Sequence, residues 1–444
     1  MRIVAGILLS MFVALFGQQS TGSGVHIKFV DDQTGFAVSP SLVRMDVSFI
    51  ADTERGAGTV HVADSVRGKY LRVEAKGYRP ISFFVAKEDR DVQIRLSPVA
   101  PPPEFSAESL AKLVAARFIA IVGFVSDEAS GTALSGVRVA SSELNVSSET
   151  NNRGFFALTA PEPRGYSSET ALLIDVTFEK KGYRTLVRKG ARVASGSVRK
   201  YRVNLQAGAG TQTIIEQHRD GEPTESAPER PLGKMGPAVT AHLSPKLPST
   251  VRVGRNCGTS TTCTSVDVVG LEDYTKHVLP NEWFASWHAE SLKSGSVAIR
   301  SVGTWYTVHP KTGTYDVCDT TACQVYDPDV SDQATDTATD ATLKTVLVEK
   351  GTDVVAKAEY AAENNNAGCG DGKSGTGTSW PCIDDSVCKG KPKDGHGRGM
   401  CQNGSNRWAN GKNADGSAAP GGAQDMDWIL THYYPAFEKT QGVE

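Results

Sequence analysis

Short runs of β-branched and aromatic residues alternate with polar turn residues over the first part of the chain. Residues 25–30 are followed by a turn-forming segment at 31–35, and residues 70–75 are followed by the turn at 76–79. Apolar runs of this length, separated by Gly, Asp and Lys-Gly turns, are typical of half-buried strands joined by tight turns. The pattern predicts an all-β sandwich module over residues 24–98.

The same order of features recurs between residues 119 and 207. Strand-like runs at 121–126 and 172–179 lead to a second Lys-Gly-Tyr-Arg turn at 181–184. Two copies of one pattern predict a repeated module. Between the copies, residues 99–118 contain a proline run and then apolar residues at helical spacing, which predict a linker with one short helix.

Two further segments differ from these modules. Residues 208–248 are rich in Gly, Pro, Glu, Thr and Ser without periodicity, so they cannot bury enough apolar surface to offset the entropy of ordering, and we predict a flexible linker. At the start of the chain, Met1 and Arg2 precede an apolar run, the order of a secretory signal peptide, which we assign to 1–20. An uncleaved anchor is the alternative.

Residues 249–444 combine strand-like runs with two helical patterns and predict an α+β domain. The first helix is predicted over 271–278, with Pro280 as its stop. The second is predicted over 287–309, with Ser286 as its N-cap. The expected architecture is therefore multidomain, with two all-β sandwich modules followed by one α+β domain.

Glu282 lies in the loop predicted between these two helices. Its neighbours Trp283, Phe284 and Trp287 are aromatic, and such neighbours would partly desolvate a carboxyl group and suit it to general-acid chemistry. A glutamate in a loop is more often a solvated surface residue. The local pattern alone leaves both interpretations open.

Charge and cysteine content narrow the class of protein. The chain has 47 Lys and Arg against 50 Asp and Glu, a net charge of -3, which argues against a nucleic-acid partner. All eight cysteines lie between Cys257 and Cys401. An even number confined to one domain of an exported chain predicts disulfides. Sequence does not decide the pairing, and the sequence-local choices are Cys257 with Cys263 and Cys318 with Cys323.

The turns of the two β-modules carry a resemblance to a known module type. A strand, an Asp-x-x-x-Gly turn, a later Gly-x-Phe strand and the Lys-Gly-Tyr-Arg turn follow in an order similar to the transthyretin-like, carboxypeptidase regulatory-like β-sandwich. Neither module shows a cluster of His, Cys or paired carboxylates, so we expect a spacer or protein-contact role. Binding of glycan or of a partner is the alternative.

Four sequence blocks stand in order within residues 249–444. They are Leu-Glu-Asp-Tyr with Val-Leu-Pro-Asn-Glu-Trp at 271–283, Asp-Val-Cys-Asp-Thr-Thr-Ala-Cys-Gln-Val-Tyr at 316–326, Gly-His-Gly-Arg-Gly-Met-Cys-Gln at 395–402, and Ile-Leu-Thr-His-Tyr-Tyr-Pro at 429–435. In this order they resemble the SpoIID/LytB family of peptidoglycan-acting proteins. The resemblance covers nearly the whole domain.

The resemblance implies action on the glycan strands of peptidoglycan. By its position in the Pro-x-Glu block, Glu282 inherits the acid/base role of a lytic transglycosylase, which protonates the glycosidic oxygen and then removes the C6 hydroxyl proton of muramic acid. The expected substrate-binding residues are Lys293, Arg300, Gln324, Gly395, His396, Gly397 and Gln402. For Lys293 and Arg300, simple surface solvation is the alternative.

Departures from the family pattern affect both substrate contacts and metal binding. Trp283-Phe284 replaces Met-Pro after the glutamate, and Ser-Gly-Ser follows Lys293 where the family has Ala-Gln-Ala. Some members bind zinc with a histidine before the second cysteine of the second block, where this chain has Ala322. Here the candidate zinc ligands are Cys318, Cys323 and His309, and a Cys318–Cys323 disulfide is preferred. The lytic reaction itself requires no cofactor.

The sequence therefore predicts an exported protein of the periplasm, cell envelope or extracellular space. Its expected partners are peptidoglycan glycan strands and, in the enhancer role known within the family, an N-acetylmuramoyl-alanine amidase. Three functions stay open at this point, namely glycan cleavage, non-catalytic enhancement of an amidase, and surface glycan adhesion.

Overall fold

The computed structural model describes residues 24–45, 48–49, 58–114, 118–163, 172–218, 244–364 and 385–443. The predicted signal peptide at 1–20 and residues 219–243 of the predicted linker lie outside the described residues. Within them, several β-sheets are followed by a region of mixed helices and strands. The chain is multidomain, as predicted.

The first module contributes strands to two sheets. Its strands are β1 (Val25–Asp31), β2 (Leu42–Met45), β3 (Ser48–Phe49), β4 (Thr59–Val62), β5 (Lys69–Glu74), β6 (Ile81–Val85) and β7 (Asp91–Leu96). β1, β4 and β7 belong to one sheet, and the other four strands form the second. In β5, Leu71 and Val73 are buried while Tyr70 and Arg72 are exposed, the alternation of a strand with one buried face. Buried residues of both sheets form one apolar cluster.

The short helix predicted for the linker is α1 (Ala107–Val114), which follows a 3₁₀ turn at Pro103–Phe105. Phe105 and Leu110 are buried against the first strand of the second module. The segment between the modules is therefore packed onto the second module.

The second module also contributes to two sheets. Its strands are β8 (Phe118–Asp127), β9 (Arg138–Ser141), β10 (Val146–Glu149), β11 (Phe155–Pro161), β12 (Leu172–Glu179), β13 (Thr185–Val193), β14 (Val198–Leu205) and β15 (Thr211–Ile215). The prediction that a flexible linker begins at residue 208 is wrong for Thr211–Ile215, because these residues form strand β15. This strand pairs in parallel with β13, so ladder hydrogen bonds order a segment whose composition alone favours disorder.

The C-terminal region is organised around one long buried helix, α3. Its elements are β16 (Thr250–Arg255), β17 (Ser265–Gly270), α2 (Leu271–Glu282), α3 (Ala289–Val308), β18 (Val317–Cys318), β19 (Val330–Asp332), α4 (Gln333–Ala341), β20 (Thr345–Glu349), β21 (Tyr360–Ala361), β22 (Met400–Cys401), α5 (Gln402–Asn410), α6 (Met426–Tyr433) and β23 (Phe437–Gln441). Leu292, Ile299, Val302 and Tyr306 of α3 are all buried in the core.

The three regions share their sheets. β17 pairs in parallel with β7 of the first module, which gives one six-stranded sheet in the order β18-β16-β17-β7-β1-β4. β19 pairs with β14 of the second module. Where β7 meets β17, Arg95 and Asp267 form a buried ion pair at 2.9 Å. The regions predicted as separate domains are therefore continuous in hydrogen bonding, a feature that chain order does not reveal.

A buried polar cluster lies where all three regions meet. Asp32 of the first module receives a hydrogen bond at 2.9 Å from Arg202 on β14 and lies 3.2 Å from Nε2 of His277 on α2. Burial alone would raise the pKa of Asp32, but its electrostatic interactions with His277 and Arg202 lower that pKa to about 2. The cluster holds α2, and with it the end of α2 that carries Glu282, against both modules.

Candidate functional site

Glu282 is the last residue of α2. The prediction that Pro280 stops this helix, leaving Glu282 in a loop, was wrong, because α2 continues through Pro280. Proline removes one helical hydrogen bond, but Val278 and Leu279 are fully buried in the core, and their packing offsets that loss. The side chain of Glu282 is therefore positioned by the end of a helix and not by a loop.

The start of α3 also differs from the prediction. The helix runs from Ala289 to Val308, and its N-cap is His288 instead of Ser286. Nδ1 of His288 accepts a hydrogen bond from the N–H of Glu290 at 3.3 Å. An imidazole nitrogen thus takes the place of the serine hydroxyl expected at a helix N-terminus.

The carboxyl group of Glu282 joins two of the sequence blocks. Its side chain is only 4% exposed. Oε1 accepts a hydrogen bond from the N–H of Val325 at 2.8 Å, and the amide of Gln402 donates to the main-chain oxygen of Glu282 at 2.7 Å and lies 3.4 Å from Oε2. The second and third blocks therefore meet at this carboxyl group.

Gln324 holds the loop that carries Val325. Its Oε1 accepts from the hydroxyl of Tyr274 at 2.6 Å, and its Nε2 donates to the hydroxyl of Tyr360 at 2.8 Å. Gln324 is 1% exposed, so its amide supports the site from within the protein, contrary to the predicted substrate contact. Tyr360 belongs to none of the four blocks, and no sequence signal pointed to it.

Two departures from the family pattern are in contact with each other. The indole of Trp283 is buried and packs edge-on against Tyr360, with ring centroids 4.9 Å apart. A Cβ on Gly295 would lie 2.7 Å from that indole. Glycine at 295 therefore makes room for tryptophan at 283. Phe284 turns away and packs against Trp287 at 4.8 Å.

The Gly-His-Gly turn lies beside a charged cluster. Gly395 and Gly397 have positive φ of 87° and 72°, a region that favours glycine. Nδ1 of His396 accepts from the N–H of Arg398 at 3.0 Å. The guanidinium of Arg398 donates to Glu359 at 2.6 Å. Burial opposes ionisation of Glu359, but the charges of Lys357, His396 and Arg398 lower its pKa to about 2.

The two basic residues among the predicted substrate-binding residues, Arg300 and Lys293, have different surroundings. Arg300 is fully buried and donates to Glu272 at 2.7 Å and to the carbonyl of Thr345 at 3.0 Å. The prediction that Arg300 binds substrate is wrong, since its charge is neutralised inside the core. The ammonium of Lys293 pairs with Glu290 at 2.7 Å and keeps about a third of its side chain exposed.

Four of the cysteines form the two sequence-local disulfides, Cys257–Cys263 and Cys318–Cys323. Cysteine binds zinc as a thiolate, and the sulfurs of Cys318 and Cys323 are bonded to each other. His309 stacks on Trp305 at 4.1 Å. These residues do not fit the zinc set considered from the sequence.

A cleft of about 730 Å³ opens between the second module and the two disulfide loops. The loop closed by Cys318–Cys323 contributes Thr320 and Thr321 to its wall, and the second module contributes His218 and Ile215. The same loop leads directly to Val325 and thus to Glu282. Sequence analysis did not anticipate this cleft, because its two walls come from segments that are far apart along the chain.

A comparison with known protein families gives a match to the region that contains Glu282. The family model described as "Stage II sporulation protein" (SpoIID) matches residues 259–348, which include Glu282, both central helices and the second block. The resemblance inferred from the motifs is therefore confirmed for the C-terminal region, and the match indicates a cell-wall-related function. No curated protein matches the chain.

Solved structures add only distant likenesses. A putative membrane-associated protein of unknown function from Bacteroides fragilis is 18% identical over 24% of this chain and 32% of that one, with a TM-score of 0.14. The TIE protein of Bacillus anthracis is 12% identical over 42% of this chain and 34% of that one, also with a TM-score of 0.14. The chain spans about a third of each of these structures, and neither contributes to the functional argument.

Two observations bear on localisation. The two disulfides and the family match are consistent with an exported protein. Among the described residues, no helix is both long enough and apolar enough to cross a membrane.

Proposed function

Proceeding from the match of residues 259–348 to the stage II sporulation protein family, we propose that this protein binds and cleaves peptidoglycan glycan strands outside the cell. Glu282 acts as the single acid and base of a lytic transglycosylase. The observation that carries the proposal is the buried Glu282 carboxyl group, which joins the second block at Val325 to the third block at Gln402.

The reaction uses one carboxyl group twice. Protonated Glu282 first gives its proton to the oxygen of the glycosidic bond, which leaves with the departing sugar. The resulting carboxylate then removes the proton of the C6 hydroxyl of muramic acid, whose oxygen closes a 1,6-anhydro ring on C1. Glu282 ends protonated, so the cycle needs neither a second carboxylate nor a metal ion.

The surroundings of Glu282 suit this role. The N–H of Val325 fixes one carboxyl oxygen at 2.8 Å, and the amide of Gln402 fixes the end of α2. Hydrogen bonds in a water-poor setting are stronger than in bulk solvent. A carboxyl group held in this way keeps one orientation through both proton transfers.

The cleft supports a polymeric substrate. One of its walls carries the hydroxyls of Thr259, Ser260, Thr320 and Thr321, side chains that can exchange hydrogen bonds with sugar hydroxyls. Along the chain, the Cys318–Cys323 loop connects this wall to Val325, the residue whose N–H group holds the Glu282 carboxyl. The second β-module then serves as a wall of the glycan groove.

The test compares Glu282→Gln with the wild-type protein on glycan strands stripped of peptide. We expect 1,6-anhydro-muramic products, detected by mass spectrometry, to fall at least about 100-fold in the variant, since a positioned general acid contributes on the order of 10²–10⁴ in rate. Glu290→Gln is the matched control, because Glu290 lies at the start of α3 and pairs with Lys293. Products that persist in Glu282→Gln would remove Glu282 from the mechanism.

One observation favours the non-catalytic alternative. A general acid must come within hydrogen-bond distance of the glycosidic oxygen, yet Glu282 is only 4% exposed. An amidase enhancer would need the glycan-binding surface without that access. No anhydro products from the wild-type protein, together with faster release of stem peptides by an added amidase, would establish the enhancer role instead.

A further inference from the structure

Beyond the two disulfides, a third pair of cysteines lies buried near the proposed site. The sulfurs of Cys388 and Cys401 are 3.3 Å apart, and both residues are fully buried. Cys388 ends a 3₁₀ turn (Ser386–Cys388), and Cys401 immediately precedes α5. We infer that Cys388 and Cys401 form a third disulfide that clamps the start of α5.

The sulfur of Cys401 is oriented by its position in the fold. Cys401 is the N-cap of α5, and its Sγ accepts hydrogen bonds from the N–H groups of Gly404 at 3.1 Å and Asn364 at 3.3 Å. These contacts hold the sulfur in place. Closing the gap to a bonded distance of about 2.05 Å therefore requires movement mainly of the Cys388 side chain.

Cys388 lies between two charged groups that already have partners. Its Sγ is 3.3 Å from Oδ2 of Asp385, which also accepts from the hydroxyl of Tyr433. On its other side, Arg407 Nη1 approaches the sulfur at 3.3 Å. The thiol of Cys388 donates the hydrogen bond to Asp385, so this bond is lost when the disulfide forms, but the hydroxyl of Tyr433 still donates to the same carboxylate. The approach of Arg407 to the sulfur needs no thiol proton.

The same cysteines could be taken for metal ligands, because their sulfurs and a carboxylate oxygen of Glu363 lie within 4.8 Å of one another. However, Arg407 binds both oxygens of Glu363, at 2.6 and 2.8 Å. The guanidinium already supplies the positive charge that a metal ion would bring.

The oxidation balances as a thiol–disulfide exchange. Each cysteine loses one proton, the pair loses two electrons, and one S–S bond forms. A disulfide oxidant, either a protein or a small molecule, takes up the electrons and becomes two thiols. Because exchange proceeds through a thiolate, we expect the bond to form before folding buries the pair.

The bond would act on the proposed site through one peptide link. Cys401 is followed by Gln402, whose amide contacts Glu282. Tying residue 401 to residue 388 fixes the first turn of α5 and so the position of that amide. This consequence rests on the proposed function, whereas the bond itself does not.

Peptide mapping tests the bond directly. The full-length chain is exported into an oxidising compartment, purified without reductant, denatured and alkylated. Cleavage before aspartate then separates residues 385–393, with Cys388 as their sole cysteine, from residues 394–414, with Cys401 as theirs. We expect the two peptides to be linked and to separate on reduction. Alkylated Cys388 and Cys401, a link to another cysteine, or bound zinc with both thiols free would overturn the inference.

A serine pair tests the mechanical role. Serine can replace Cys401 as an N-cap, and at position 388 its hydroxyl can donate to Asp385 as the reduced thiol does, so Cys388→Ser/Cys401→Ser removes mainly the covalent link. We expect the Tm of this variant to be lower by about 5–10 °C without reductant, and this difference to disappear in reductant. An unchanged Tm together with unlinked peptides would refute the clamp, whatever the outcome for glycan cleavage.

Discussion

The amide of Gln402 donates to the main-chain oxygen of Glu282 at 2.7 Å, although 120 residues separate them. This contact brings the Gly-His-Gly block to the end of α2 and defines one side of the candidate site. Val325 defines the other side through its N–H. The three residues come from three different sequence blocks, and their meeting is the basis of the predictions below.

A change of charge at Gln402 is expected to alter the pH dependence of glycan cleavage. Gln402→Glu places a second carboxylate beside Glu282, and two nearby carboxylates resist sharing negative charge. We expect the limb of the pH–rate profile that reports the acid to move upward by about one pH unit. Gln402→Ala should lower the rate without moving the profile. Superimposable profiles for wild type and Gln402→Glu would contradict this arrangement.

Loss of the Cys318–Cys323 disulfide is expected to impair the site through Val325. Cys318→Ser/Cys323→Ser frees the loop whose N–H group holds the Glu282 carboxyl, and small displacements of catalytic groups cost about 10- to 100-fold in rate. The measurement is the initial rate of release of soluble glycan. Cys257→Ser/Cys263→Ser, which opens the other disulfide loop, serves as the comparison. A wild-type rate in Cys318→Ser/Cys323→Ser would show that the site does not depend on this disulfide.

Two glycines with the same backbone geometry are expected to respond differently to alanine. Gly399 and Gly390 have positive φ of 65° and 82°. A Cβ at 399 would overlap the carbonyl oxygen of Glu359, whereas a Cβ at 390 meets nothing within 4 Å. We expect Gly390→Ala to cost about 1 kcal/mol from backbone strain alone, and Gly399→Ala to cost more than about 3 kcal/mol. If urea unfolding gave the same loss of unfolding free energy for both variants, backbone strain alone would account for the cost of alanine at both positions.

Asp32 is expected to make stability depend on pH below about 5. Its pKa is about 2 in the folded protein and about 3.9 when unfolded, so it contributes about 2–3 kcal/mol above about pH 5 that is lost as the pH falls toward 2. Asp32→Asn should therefore be destabilised at pH 7 and approach the wild type near pH 2. Asp427→Asn, which removes an exposed ion pair with Lys439, should have little effect. A pH-independent deficit in Asp32→Asn would contradict the linkage.

Local pattern predicted most elements but not all of their ends. The alternation in strands such as β5 and the apolar face of α3 are visible in sequence because burial of one face requires that period. Pro280 led to a wrong prediction of the helix end. The hydrogen bond that proline removes can be foreseen from the sequence, but the packing of Val278 and Leu279 that offsets its loss depends on the tertiary structure. The polar segment that forms β15 is a strand because it pairs with β13, and its composition does not indicate this pairing.

The sequence by itself determined the family resemblance of the C-terminal region, the candidate acid Glu282 and the two short-range disulfide choices, because motif order and close spacing are properties of the chain. Only the tertiary structure decided that Arg300 is a core residue, that Gly295 makes room for Trp283, and that β7 and β17 share a sheet. Each of these depends on a contact between residues far apart in sequence, and no local pattern records the energy of such a contact.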